Sequence, residues 1–169
     1  MQKRIFAVIT LVVLALTAAA QDAKRGPSTP EERERFVKFA HRSEAAPLDE
    51  SLRSETKWAM IWLIEVPDVT VSVCTAPLGD FMKKKYKFEP EIIAQLTFSG
   101  GAFVIEHPDK ANDKIAQYLA GVEGALKAYS AILIAKPDAH SKPLDDLLQK
   151  QSQGKLADYV RETSSQGCK

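Results

Sequence analysis

The segment of this 169-residue chain best equipped to bind something at a surface is 81–88, FMKKKYKF. Lys83, Lys84, Lys85 and Lys87 supply ammonium groups, and Phe81, Tyr86 and Phe88 supply flat apolar faces between them. That mixture suits an anionic lipid surface, a glycan or another polyanion. The plainer expectation is a lysine-rich helix end whose aromatics fold inward while its charges stay in water.

The second chemical pair is Cys74 and Cys168, the only cysteines. An even count and no Cys-x-x-Cys spacing point to one structural disulfide in an oxidising compartment, not to a redox centre. Cys168 is penultimate, in a polar Ser-Ser-Gln-Gly tail that would otherwise fray. Closing a loop of about 95 residues is worth up to about 4.7 kcal/mol by chain entropy.

Catalytic spacing is missing elsewhere. His41, His107 and His140 stand alone, without an H-E-x-x-H pattern or a second ligand at metal spacing. His107 falls where a helix is expected to end, and terminal carbonyls favour an imidazolium there without any ligand. G-x-S-x-G, Walker, dinucleotide-glycine and C-x-x-C-H patterns do not occur. No catalytic residue, cofactor or metal is therefore assigned. Glu123 lies beside the seam of the longest helix and is expected to pair with Lys127 at i+4.

These residues need elements to hold them, and the periodicity is helical. Thr29, Pro30 and Glu32 make a capping box with proline in the first turn, so a helix opens at 30 and ends before Pro47. A second helix, capped by Asp49, runs to about 66. Its 58–64 stretch (WAMIWLI) is apolar on every side, which predicts a central helix with both tryptophans in the core. Residues 69–74 (VTVSVC) alternate like a strand, but no second convincing strand exists to pair with them. A helix from Asp68, kinked or broken at Pro77 and continuing to about 85, is the expectation.

A helix over 90–106 contains Gly100 and Gly101, most simply explained by close approach of a neighbour. Over 113–136, Ile115, Leu119, Val122, Leu126, Tyr129 and Leu133 repeat at four and three, the seam of a bundle helix, with Gly121, Gly124, Ala125 and Ala128 beside it. Two short helices, 144–151 and 156–160, split at Gly154, complete the set. The fold class is all-α: a single compact bundle of five to seven helices over 29–169.

Residues 1–20 carry Lys3 and Arg4, then an apolar run and Ala18-Ala19-Ala20, the layout of a cleaved signal peptide. The other reading of this stretch is an uncleaved anchor. Residues 21–28 form a polar leader containing Gly-Pro. Removing residues 1–20 takes away two positive charges and no acid, leaving 21 basic against 22 acidic residues. A near-neutral chain argues against nucleic acid as a partner.

The expectation is a secreted or periplasmic, non-enzymatic protein that binds another protein, a glycan or an envelope component, with at most peripheral membrane contact. One alternative is an enzyme whose site assembles His41 or His107 with a distant Glu or Asp. The other is an anionic-surface or apolar-ligand binder working through 81–88.

Overall fold

The structure is a computed structural model and describes residues 25–168. The signal-peptide expectation for 1–20 lies outside the described residues. Within them the chain is all-helical. Six α-helices run Pro30–Ala45 (α1), Arg53–Glu65 (α2), Glu89–Glu106 (α3), Lys114–Ala135 (α4), Lys142–Ser152 (α5) and Leu156–Gly167 (α6). Three 3-10 segments, Glu50–Leu52, Ala76–Lys83 and Pro108–Lys110, lie between them.

Capping chemistry sets the starts. Thr29 Oγ1 accepts from the Glu32 amide while the Glu32 carboxylate accepts from the Thr29 amide, a complete capping box on α1. Asp49 caps the 3-10 turn that leads into α2, and Asp113 caps α4 through the Ala116 amide at 3.0 Å. The described end of the leader is bonded to the folded body. The Ser28 amide and hydroxyl reach the Asp68 carboxylate at 2.8 and 2.9 Å, and Arg25 pairs with Glu32. The Ser28 amide first, then the Arg33 guanidinium and the Ser28 hydroxyl, hold the Asp68 carboxyl down to about 2.

The antiparallel-type neighbours α3 and α4 make the principal helix pair. α1 packs across both, α2 lies on α1 and α3, and α5 and α6 gather around the Ala76–Lys83 turn beside α4. Two apolar clusters result. Phe36, Phe39, Trp62 and Phe98 anchor one; Phe81, Ile92, Leu126, Tyr129 and Val160 anchor the other. α3 serves both, with Ile92 and Leu96 in the second and Phe98, Ala102 and Val104 in the first.

α3, together with α4, is thus the central helix, which corrects the expectation for α2. In α2 only Ala59 and Trp62 are buried, whereas Ile61 and Ile64 are exposed and Trp58 is covered by the Arg35 guanidinium 3.7 Å above its ring. Apolar composition on all sides did not place α2 inside. It has neighbours on too few sides to bury all of them. α4 has the length and apolarity to cross a bilayer, but here Val122, Ala125, Leu126 and Tyr129 are fully buried against neighbouring helices.

Small residues permit the α3–α4 approach. A Cβ on Gly121 would come within 2.7 Å of the Leu96 carbonyl oxygen, and one on Gly124 would overlap the Ser99 side chain. Gly101 likewise lies against the Phe36 ring. Packing accounts for these glycines.

Residues 69–74 correct a second expectation: they form neither helix nor strand. A side chain replaces the missing strand partner, since Gln117 Oε1 accepts from the Ser72 amide at 2.7 Å. The segment crosses the α3–α4 pair with Val71 beside Gly100 and ends at Cys74. The next element is two 3-10 turns broken at Gly79 (φ 56°, ψ −130°), so the break falls on the glycine and not on Pro77. The tail is also more ordered than its composition implied. α6 runs to Gly167 with Ser164 buried, and Cys168 is joined to Cys74 with Cα atoms 5.8 Å apart.

Candidate functional site

The 81–88 segment divides as its residue types dictate. Phe81 and Phe88 turn inward, 1 % and 9 % exposed, while all four lysines stay exposed. Tyr86 is the hinge of an aromatic group, edge-to-face with Phe81, Phe88 and Tyr129 at centroid separations of 5.6, 5.9 and 6.2 Å. Burial pushes its phenol up to about 12, so it stays protonated and donates to the Ala139 carbonyl at 3.0 Å.

That hydrogen bond ties 81–88 to the loop after α4. Tyr129 pins the same loop. Its hydroxyl accepts from the Ser141 amide and donates to Asp145 Oδ1, both at 2.7 Å, and burial raises its pKa strongly. Between segment and loop lies a cleft of about 440 Å³. Lys85, Tyr86, Lys87 and Phe88 form one side, and Lys136 and His140 stand on the other.

Among the described residues Lys85, Lys87 and Lys136 make no ion pair, and Asp138 is the one carboxylate of the lining. Lys87 lies 5.3 Å from the Phe88 ring centroid, and the His140 imidazole is engaged with Asp145 at 3.2 Å. The carbonyl end of α4 also borders the cleft and opposes an anion there, but three ammonium groups outweigh a half-charge of helix dipole.

The remaining lysines of the segment separate. Lys83 is bound to Asp80 at 2.8 Å, which raises its pKa. Lys84 faces a different cleft, on the α5–α6 side. Of the segment's polar residues, Lys85, Tyr86 and Lys87 thus share one cleft with Lys136 and His140, which the sequence did not point to. Some fifty residues separate them from the segment, and no local spacing signals the pairing.

A second constellation bears on the enzyme alternative. The Glu44 carboxylate is 8 % exposed and accepts from Ser99 Oγ at 2.8 Å and from Lys127 Nζ at 3.0 Å. Gln95 extends this network, donating to Ser99 Oγ at 2.8 Å and accepting from Ser43 Oγ at 2.6 Å. Lys127 thus pairs with Glu44 and not, as expected, with Glu123.

His41 sits at the edge of this network, with Nε2 2.9 Å from Glu106 Oε1 and Nδ1 3.5 Å from Glu44 Oε2. Its pKa is raised, first by the hydrogen bond to Glu106. A cavity of about 420 Å³ opens beside it. Both ring nitrogens face carboxylates, so an imidazolium clamps α1 to the end of α3 and leaves no nitrogen directed at a substrate. His107 is the C-terminal cap of α3, its ring 3.2 Å from the Phe103 carbonyl and stacked on Phe103. Among the described residues no three His, Cys, Asp or Glu side chains gather as a metal site.

Fold and chemistry together define an all-helical, disulfide-linked protein with a lysine- and aromatic-lined cleft. Comparison with protein-family models, curated proteins and solved structures finds no match to this chain.

Proposed function

We propose that the protein is an exported, non-enzymatic binding protein that captures an anionic ligand in the 85–88/136–140 cleft. The observation that carries the reading is the set of three lysines, Lys85, Lys87 and Lys136, without carboxylate partners among the described residues and placed on opposite walls of an aromatic-lined hollow. Anions are attracted from solution by such a focused positive field, and the aromatic walls favour a ligand with an apolar face. Export is supported by the disulfide and by the signal-like 1–20 stretch. The enzyme alternative is disfavoured because both histidines beside a cavity are engaged by carboxylates, His41 by Glu44 and Glu106 and His140 by Asp145.

Titration of the isotope-labelled protein with digalacturonate, a small sugar acid, tests this. Amide shifts should concentrate at 85–88 and 136–140, weaken with salt and vanish in K85Q/K87Q/K136Q. Shifts scattered over the surface, or unchanged in that variant, would overturn the assignment.

A further inference from the structure

The lysine cleft has a neighbour across the 84–85 backbone. This second cleft, of about 660 Å³, lies between the Ala76–Lys83 turn, α5 and α6. Lys84, Lys142 and Lys150 line it together with Tyr159, Gln149 and Gln153. Its two carboxylates are already answered: Asp80 by Lys83 at 2.8 Å and Asp146 by Lys142 at 2.9 Å. Lys84 and Lys150 have no carboxylate partner among the described residues, and Lys150 lies 5.0 Å from the centroid of the Tyr159 ring.

The two clefts therefore repeat one composition, lysines beside a tyrosine. Their walls are linked along the chain at two places: Lys84 and Lys85 are consecutive, and Ser141 alone separates the 136–140 loop from α5. Resting on the anion-binding reading above, we propose that the ligand is a linear acidic polysaccharide that occupies both clefts across the 84–85 ridge. Successive carboxylates or sulfates along one chain meet Lys85, Lys87 and Lys136 in the first cleft and Lys84 and Lys150 in the second. Pyranose faces lie on Tyr86 and Tyr159, and Gln149 and Gln153 offer neutral donors and acceptors to sugar hydroxyls.

A flat lipid surface fits less well. The cations line concave walls, and Met82, 42 % exposed, is the large apolar side chain the segment presents to solvent. Interfacial binding needs an apolar face to bury, and one methionine is little.

The experiment compares digalacturonate with a long oligogalacturonate on the intact disulfide-bonded protein, by calorimetric titration. A ligand bridging both clefts should bind about tenfold or more tighter than the dimer, by effective concentration. K84Q/K150Q, which breaks no ion pair, should remove that gain and leave dimer binding unchanged. K85Q/K87Q/K136Q should abolish both, each variant being checked by circular dichroism for an unchanged fold.

Equal affinity for dimer and long chain, with no effect of K84Q/K150Q, overturns the two-cleft inference and leaves the single-cleft function standing. No binding of either probe overturns both. Salt-sensitive binding to phosphatidylglycerol vesicles without binding to either oligosaccharide replaces the polysaccharide with a membrane, and also overturns the inference.

Discussion

Ser99 Oγ donates to the buried Glu44 carboxylate at 2.8 Å in the space that a side chain at position 124 would fill. One glycine on α4 thus makes room for a polar contact between α1 and α3. Gly124→Ala forces α4 away from α1 and α3 or expels Ser99 from its hydrogen bond. We expect a loss of about 1–3 kcal/mol or more in urea unfolding. Ser99→Gly in the same chain removes the overlapping atoms, so the double variant should be less destabilised than the two single losses added together. Simple additivity would show that the crowding is relieved elsewhere.

The Cys74–Cys168 bond joins the irregular 69–75 segment to the end of α6. C74S/C168S, or reductant, should cost about 2–5 kcal/mol, and hydrogen exchange should accelerate first in α6. Two thiols titrating freely in unreduced protein from an oxidising compartment would contradict the bond.

His41 carries a pH dependence whose sign is fixed by its partners. Its folded pKa is raised by Glu106 and Glu44, so its contribution is fully present below the unfolded value near 6.5. That contribution is lost as pH rises through the higher folded value. The wild type should therefore exceed His41→Asn in stability by more at pH 5.5 than at pH 8.5. Half-exposure of the ring keeps the difference small. A gap that widens at high pH would refute the clamp.

Tyr129 holds the wall of the lysine cleft through Ser141 and Asp145. Tyr129→Phe leaves the Ser141 amide without its partner, at a cost of about 1–3 kcal/mol. Faster amide exchange at 139–141 should accompany a weaker digalacturonate affinity, and an unchanged loop would show that Tyr86 suffices to pin it.

Much of the helical content was legible in residue types alone. The capping box at Thr29, the 113–136 seam, the glycine at 154 and the pairing of the two cysteines are local or combinatorial facts, and the chain honours each. Residues 69–74 were not legible, because a strand pattern without a partner strand is resolved by a distant acceptor, Gln117. Nor was the periphery of α2, since composition measures what a helix can bury and not how many neighbours it meets. The inward turn of Phe81 and Phe88 beside outward lysines follows from side-chain chemistry. That Lys136 faces Lys85 does not, because it depends on where the α4–α5 loop lands.

By itself, then, the sequence determined an all-helical chain with one cysteine pair, a near-neutral charge and a cationic aromatic segment. Those features arise from neighbours along the chain and from counts, which need no three-dimensional information. Tertiary structure decided which helices are central, that His41 is saturated by two carboxylates, and that the lysine segment forms walls of two clefts. Each of these joins residues tens of positions apart, and only packing sets which side chains meet.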